Sequence, residues 1–177
     1  QLCYRIAFLE ELFHPVTPGE GFSVGGIDVE SFSTPHDAAE STGFALSAGG
    51  RKAAVVTDLG YVTPEVLKGI RGADLLVCEA NHDVEWLQSG PYPYYLKARI
   101  LGDRGHLSNE AGAELAWTAV EGGARTVVLA HLSHENNTPQ RAHEVVRALL
   151  ERRGAAVGRD VILEVAPRSE AGRRYPV

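Results

Sequence analysis

The chain has 177 residues, 44% of them hydrophobic and 23% charged, with few aromatics, so it reads as one globular domain and not as a disordered or fibrous chain. Its formal charge of −6 argues against a broad basic surface for polyanions, although a carboxylate-rich metal site draws phosphate through the charge of its ion. No apolar run approaches the roughly eighteen residues of a membrane span, and Gln1 to Glu11 lacks the pattern of a signal peptide, so the expected setting is cytoplasmic with no membrane partner.

Apolar and polar residues alternate from Ser23 to Thr34 around Gly25-Gly26, which predicts a hairpin with one buried face. Gly43 to Ser47 and Arg51 to Thr57, separated by Ala48-Gly49-Gly50, predict a second hairpin. After these, strands alternate with helices. Thr63-Pro64-Glu65 supplies a cap, a first-turn proline and an early acid for a helix through Val66 to Ile70. Ala73 to Ala80 reads as a buried strand, in which Cys78 is a small core hydrophobe. Tyr92, Tyr94 and Tyr95, flanking Pro91 and Pro93, read as packing in a loop, with a base-stacking platform as the alternative.

Ser108-Asn109-Glu110 opens a helix to Val120 that stops at Gly122-Gly123, and Thr126 to Ala130 is the next buried strand. Thr138-Pro139 starts a last helix to about Arg153, a final strand covers Val161 to Val165, and the polar tail from Arg168 to Val177 is expected to fray. Antiparallel strands first and β-α-β-α-β afterwards predict an α/β (α+β) domain, a mixed sheet with flanking helices over residues 1–177.

Residues able to bind metal stand where apolar strands run out. Asp58 follows Ala53 to Thr57, Glu79 follows Leu75 to Cys78, and His131 follows Thr126 to Ala130. Loops leaving strand ends carry sites in layered α/β folds, so three such residues on successive strands point to one shared rim. His36, after the strand ending at Thr34, joins them, and His106 lies just ahead of a helix N-terminus, a position that favours phosphate. Singly, each has a bland alternative: a turn-forming Asp, a loop carboxylate or a partly buried imidazole. No P-loop, dinucleotide fingerprint, C-x-x-C pair or G-x-S-x-G elbow occurs.

The blocks Thr34-Pro35-His36-Asp37-Ala38, Thr57-Asp58-Leu59-Gly60, Glu79-Ala80-Asn81-His82-Asp83, Gly105-His106-Leu107-Ser108-Asn109 and Ala130-His131-Leu132-Ser133 with Glu135-Asn136-Asn137 resemble the YycJ/WalJ group of metallo-β-lactamase-fold exonucleases. That group is similar to ribonuclease Z and to PhnP-type phosphodiesterases. The resemblance runs in order from about His36 to Pro139. It implies a metal-dependent hydrolase, most naturally a phosphodiesterase or nuclease acting on nucleic acid, with two divalent metal ions, zinc or manganese. It implies further that His36, Asp58 and His131 are metal ligands and that Glu79 and His106 assist proton transfer. Asn81, His82, Ser133 and Asn137 fall near the site as substrate-side candidates.

The group's H-x-H-x-D-H string, which supplies most of the direct metal ligands from the N-terminal half of the fold, does not occur in this chain, and His14 stands alone. The expectation is therefore the C-terminal portion of an αββα sandwich, with a large apolar face left for an N-terminal half of the same fold, and with oligomers allowed. Two other functions fit the same residues. One is hydrolysis of a lactam, lactone or thioester, and the other is a non-catalytic partner subunit.

Overall fold

The computed structural model describes residues 14–175. Gly25 and Gly26, at φ 58° and 81°, turn β1 (Gly21–Val24) into β2 (Ile27–Ser33), and Gly49 and Gly50, at 57° and 78°, turn β3 (Thr42–Ala48) into β4 (Arg51–Val56). Positive φ at both central positions twists a hairpin in the sense that paired strands require. The two expected hairpins join into one antiparallel meander, because β2 also pairs with β3, from Asp28 opposite Ser47 to Ser33 opposite Thr42.

From β4 onward the sheet is parallel, through β5 (Leu75–Glu79), β6 (Thr126–Ala130) and β7 (Ile162–Val165). The seven strands among the described residues lie in sequence order in one mixed sheet. Two antiparallel steps bring β2 into the same direction as β4 to β7. The chain therefore leaves β2, β4, β5 and β6 at one edge, and residues following these strands share a rim.

Five helices complete the described residues: α1 (Pro64–Ile70), α2 (Val84–Ser89), α3 (Tyr94–Leu101), α4 (Asn109–Glu121) and α5 (Pro139–Arg152). Hydroxyl caps start three of them as expected, with Thr63 accepting from the Val66 N–H, Ser108 from Ala111 and Thr138 from Arg141, each at 3.2 Å. One face of the sheet, including Phe32, Val56, Leu76, Val127 and Leu129, forms a continuous core with Val66, Ile70, Leu115, Val146 and Leu150 of α1, α4 and α5. Cys78 is fully buried in that core, which pushes its thiol up to about 12 and leaves it inert. Gly112 lets α4 lie directly on the end of β5, since a Cβ there would stand 2.4 Å from the Glu79 carbonyl oxygen.

Helices α2 and α3 have no counterpart among the elements expected from the sequence. Helix α3 buries no side chain, so it carries no core-facing stripe to announce it. The reading of its tyrosines as loop packing is corrected accordingly: Tyr94 and Tyr95 are 86% and 74% exposed on the first turn of α3. The tail also departs from expectation. Arg168 donates to the Leu132 carbonyl at 2.9 Å and Arg173 pairs with Glu164 at 3.1 Å, which ties it back to the body.

The other face of the sheet carries Val29, Leu46, Ala53 and Leu75 in one cross-strand row and Phe44, Val55, Val77 and Val128 in the next. Phe22, Val24, Ile27 and Phe44 on this face remain exposed. No helix among the described residues is long and apolar enough to cross a membrane.

Candidate metal centre

Asp58 and His131 both take left-handed backbone, at φ 59° and 56°, where the chain turns away from β4 and β6. Such a conformation costs a residue with a side chain about 1–3 kcal/mol and persists only where neighbours hold it. Here both carbonyls are held. Asn81 Nδ2 donates to the His131 carbonyl at 2.8 Å, and Ser41 Oγ donates to the Asp58 carbonyl at 3.2 Å. Thus fixed, Asp58 Oδ1 lies 3.5 Å from His131 Nε2 and 3.6 Å from His36 Nε2.

The ring tautomers follow from the partners of Nδ1. His36 Nδ1 is 2.9 Å from the Gly105 carbonyl, while His106 Nδ1 and His131 Nδ1 are 2.8 and 2.7 Å from Glu79 Oε1. A carbonyl and a carboxylate only accept, so all three Nδ1 atoms donate, and a neutral ring then keeps its lone pair on Nε2. An N–H held from behind with the second nitrogen free is the arrangement of metal-binding histidines. The rings stand side by side, with centroids 4.8 Å apart between His36 and His106 and 5.2 Å between His106 and His131.

Glu79 is fully buried and saturated. Besides the two imidazoles on Oε1, its Oε2 accepts the Leu107 N–H at 3.1 Å and the Leu59 N–H at 3.3 Å. One carboxylate thereby fixes four segments: the ends of β4 and β5, the loop before α4 and the start of the loop after β6. Burial raises its pKa, but the hydrogen bonds from His106 and His131 prevail and hold it below the ordinary value of 4.5. Its donors leave it no ready lone pair for an ion, so its part is to aim the imidazoles.

The hydrogen bond from Glu79 raises the His131 pKa above the ordinary 6.5, against the opposing effect of burial. The two shifts define a pH window for the metal-free protein. The His131 contribution to stability is complete below 6.5 and is lost as pH rises through its higher folded value. The Glu79 contribution is complete above 4.5 and is lost as pH falls through its lower folded value. Chelator-treated protein is therefore expected to melt highest in mildly acidic buffer and lower at alkaline pH, with added divalent metal reversing the alkaline loss. Thermal melting across pH, with and without metal, checks this.

All five residues expected at the centre, His36, Asp58, Glu79, His106 and His131, thus meet at one rim. The four substrate-side candidates take different places. Asn81 and Ser133 line a cavity beside His106. His82 is 1% exposed, with no hydrogen-bond partner on either ring nitrogen among the described residues, and burial lowers its pKa. Asn137 is also buried, donating to the carbonyls of Ala80 and Asn81 and exchanging amide hydrogen bonds with Asn109, which clasps the end of β5 to the starts of α4 and α5. Asp37 is an addition: its Oδ1 is 3.3 Å from His36 Nε2, and Arg99 holds its carboxyl below the usual range. Only its position next to His36 marked it in the sequence.

The donor set suits a divalent cation. Asp58, Glu79, His106 and His131 each bring a ligand-type atom within 4.8 Å of the others, and His36 borders them. Lone pairs and carboxylate oxygens facing one another can be satisfied by a shared cation, and imidazole with carboxylate suits a borderline metal. A family model described as the beta-lactamase superfamily domain matches residues 4–132. The chain belongs to this family.

Its relatives place it further. The chain is 42% identical over 140 residues to a Bacillus anthracis protein named exodeoxyribonuclease YycJ, covering 79% of this chain and 53% of that one. It is 39% identical over 147 residues to exodeoxyribonuclease WalJ of Streptococcus pneumoniae, covering 83% and 55%. The chain thus spans about half the length of the curated relatives it matches. Among solved structures, the metallo-beta-lactamase fold protein YhfI from Bacillus subtilis matches with a TM-score of 0.61 at 15% identity, over 92% of this chain and 58% of that one. That likeness establishes the fold, and the two sequence relatives carry the resemblance to the YycJ/WalJ group.

Proposed function

We propose that this chain is the C-terminal portion of a metal-dependent phosphodiesterase that degrades nucleic acid as an exonuclease. The observation that carries the proposal is the approach of His36 Nε2 and His131 Nε2 to one oxygen of Asp58, with both Nδ1 atoms engaged from behind. The nucleic-acid substrate rests on the relatives named exodeoxyribonuclease. His36, Asp58 and His131 would hold the divalent metal ions, two of them and zinc or manganese in kind.

Divalent ions bound there would supply Lewis acidity toward a phosphodiester and its attacking water. His106 stands between the two ligand imidazoles with its Nδ1–H held by Glu79, so the doubly protonated ring would give its Nε2 proton to the leaving oxygen and return to the neutral Nδ1–H tautomer. Glu79 orients both His106 and His131, coupling proton delivery to metal binding. The partner of this chain is an N-terminal half of the same fold that brings the H-x-H-x-D-H ligands. Support for that pairing comes from the exposed apolar face of β1 to β3 and from the half-length match to the relatives.

The test is end-labelled DNA given to the complete enzyme. Shortening from the ends that stops with chelator and resumes with zinc or manganese is expected. Shortening that survives exhaustive chelation, or DNA left intact with every divalent metal supplied, contradicts the assignment.

A further inference from the structure

Helix α3 spends its apolar side in an unusual place. Leu96 and Ile100 are four residues apart and so share a face, yet α3 buries no side chain in the core. With Tyr92, they instead wall a cavity of about 230 Å³ that opens beside His106 and is also lined by Asn81 and Ser133. Polar tethers keep the helix in place: Lys97 Nζ donates to the carbonyls of Gln88 and Gly90, both at 2.7 Å, and Arg99 Nε donates to Asp37 Oδ2 at 2.5 Å.

The cavity combines flat and aliphatic walls with polar groups at one site, and its nearest cation, Arg99, is already paired with Asp37. That pairing disfavours a second phosphate as occupant and leaves an uncharged, flat group with hydrogen-bonding edges. The volume suits one such ring system and not a base pair.

Building on the phosphodiesterase function proposed above, we propose that Tyr92, Leu96 and Ile100 form the subsite for a single unpaired nucleobase adjoining the scissile phosphate, with Tyr92 as its stacking partner. The substrate class is then a single-stranded or frayed end, and Tyr92 sets the preference for a terminal nucleotide that carries its base. Tyr94 and Tyr95, on the outer side of the same helix, take no part.

The experiment compares two single-stranded oligonucleotides in the complete, metal-loaded enzyme, one ending in an ordinary nucleotide and the other in an abasic tetrahydrofuran residue. The wild type is expected to favour the base-bearing end by about tenfold or more in kcat/KM, the size of one base–aromatic stack. In Tyr92→Ala that ratio falls toward one, chiefly through a higher KM for the base-bearing end, and Tyr92→Phe restores it. Leu96→Ala is expected to reduce the ratio in the same direction. Equal cleavage of both ends by the wild type overturns the subsite while the nuclease assignment stands, as does a Tyr92→Ala enzyme that keeps the full ratio. Failure to cleave either oligonucleotide while the metal-loaded enzyme shortens duplex DNA overturns the subsite alone, and failure on duplex DNA as well removes the nuclease assignment and the subsite with it.

Discussion

Replacing Glu79 by alanine is expected to destabilise the metal-free protein by about 3–5 kcal/mol, the usual loss when one partner of a buried charged network is removed. The Leu59 and Leu107 N–H groups lose their acceptor in the interior, and two imidazoles lose the group that fixes their tautomer. Loss of such an orienting partner lowers metal affinity by about 10–100-fold. Glu79→Gln separates the two effects. The amide keeps the volume but offers an NH2 group where donors arrive, so metal affinity falls with less cost to the fold. Denaturant unfolding of the metal-free forms, beside metal titration of the folded ones, measures both quantities. Wild-type affinity in either variant would show that Glu79 is a passive core residue.

Removing the His106 imidazole is expected to act on turnover alone. A positioned general acid contributes about 10²–10⁴-fold, and in the role proposed for it His106→Ala should lose that factor in kcat on DNA while retaining its metal, since the proposed ligands His36, Asp58 and His131 remain. The leaving group gives a sharper readout. A phosphodiester that releases 4-nitrophenolate needs no protonation, so the variant should approach wild-type rates on it while remaining impaired on DNA. Equal impairment on both substrates would assign His106 to metal or phosphate binding instead.

Much of this was legible in the sequence because strand ends are marked chemically. Asp58, Glu79 and His131 each follow a short apolar run, and parallel pairing of β4, β5 and β6 carries those ends to one rim. The hydroxyl caps of α1, α4 and α5 were equally plain, being local interactions within three residues. What stayed hidden depends on contacts across the fold. Nothing near Glu79 in the chain reveals that His131, 52 residues later, shares the oxygen that receives His106.

Burial was hidden too. His82 and Asn137 lie among site residues in sequence, but one is enclosed and the other clasps loops together, and sequence adjacency cannot distinguish these from open positions. Helix α3 was missed for the complementary reason. Its apolar side faces a cavity instead of the core, so the stripe that normally reports a helix was too short to read.

The most direct measurement is the metal content of the complete protein after dialysis against zinc or manganese, compared with that of Asp58→Ala and His131→Ala. Tight stoichiometric binding in the wild type, with loss of bound metal in both variants while circular dichroism shows them folded, is the predicted result. Variants that retain wild-type metal, or a folded wild type that binds none, would contradict a cation shared by Asp58 and His131.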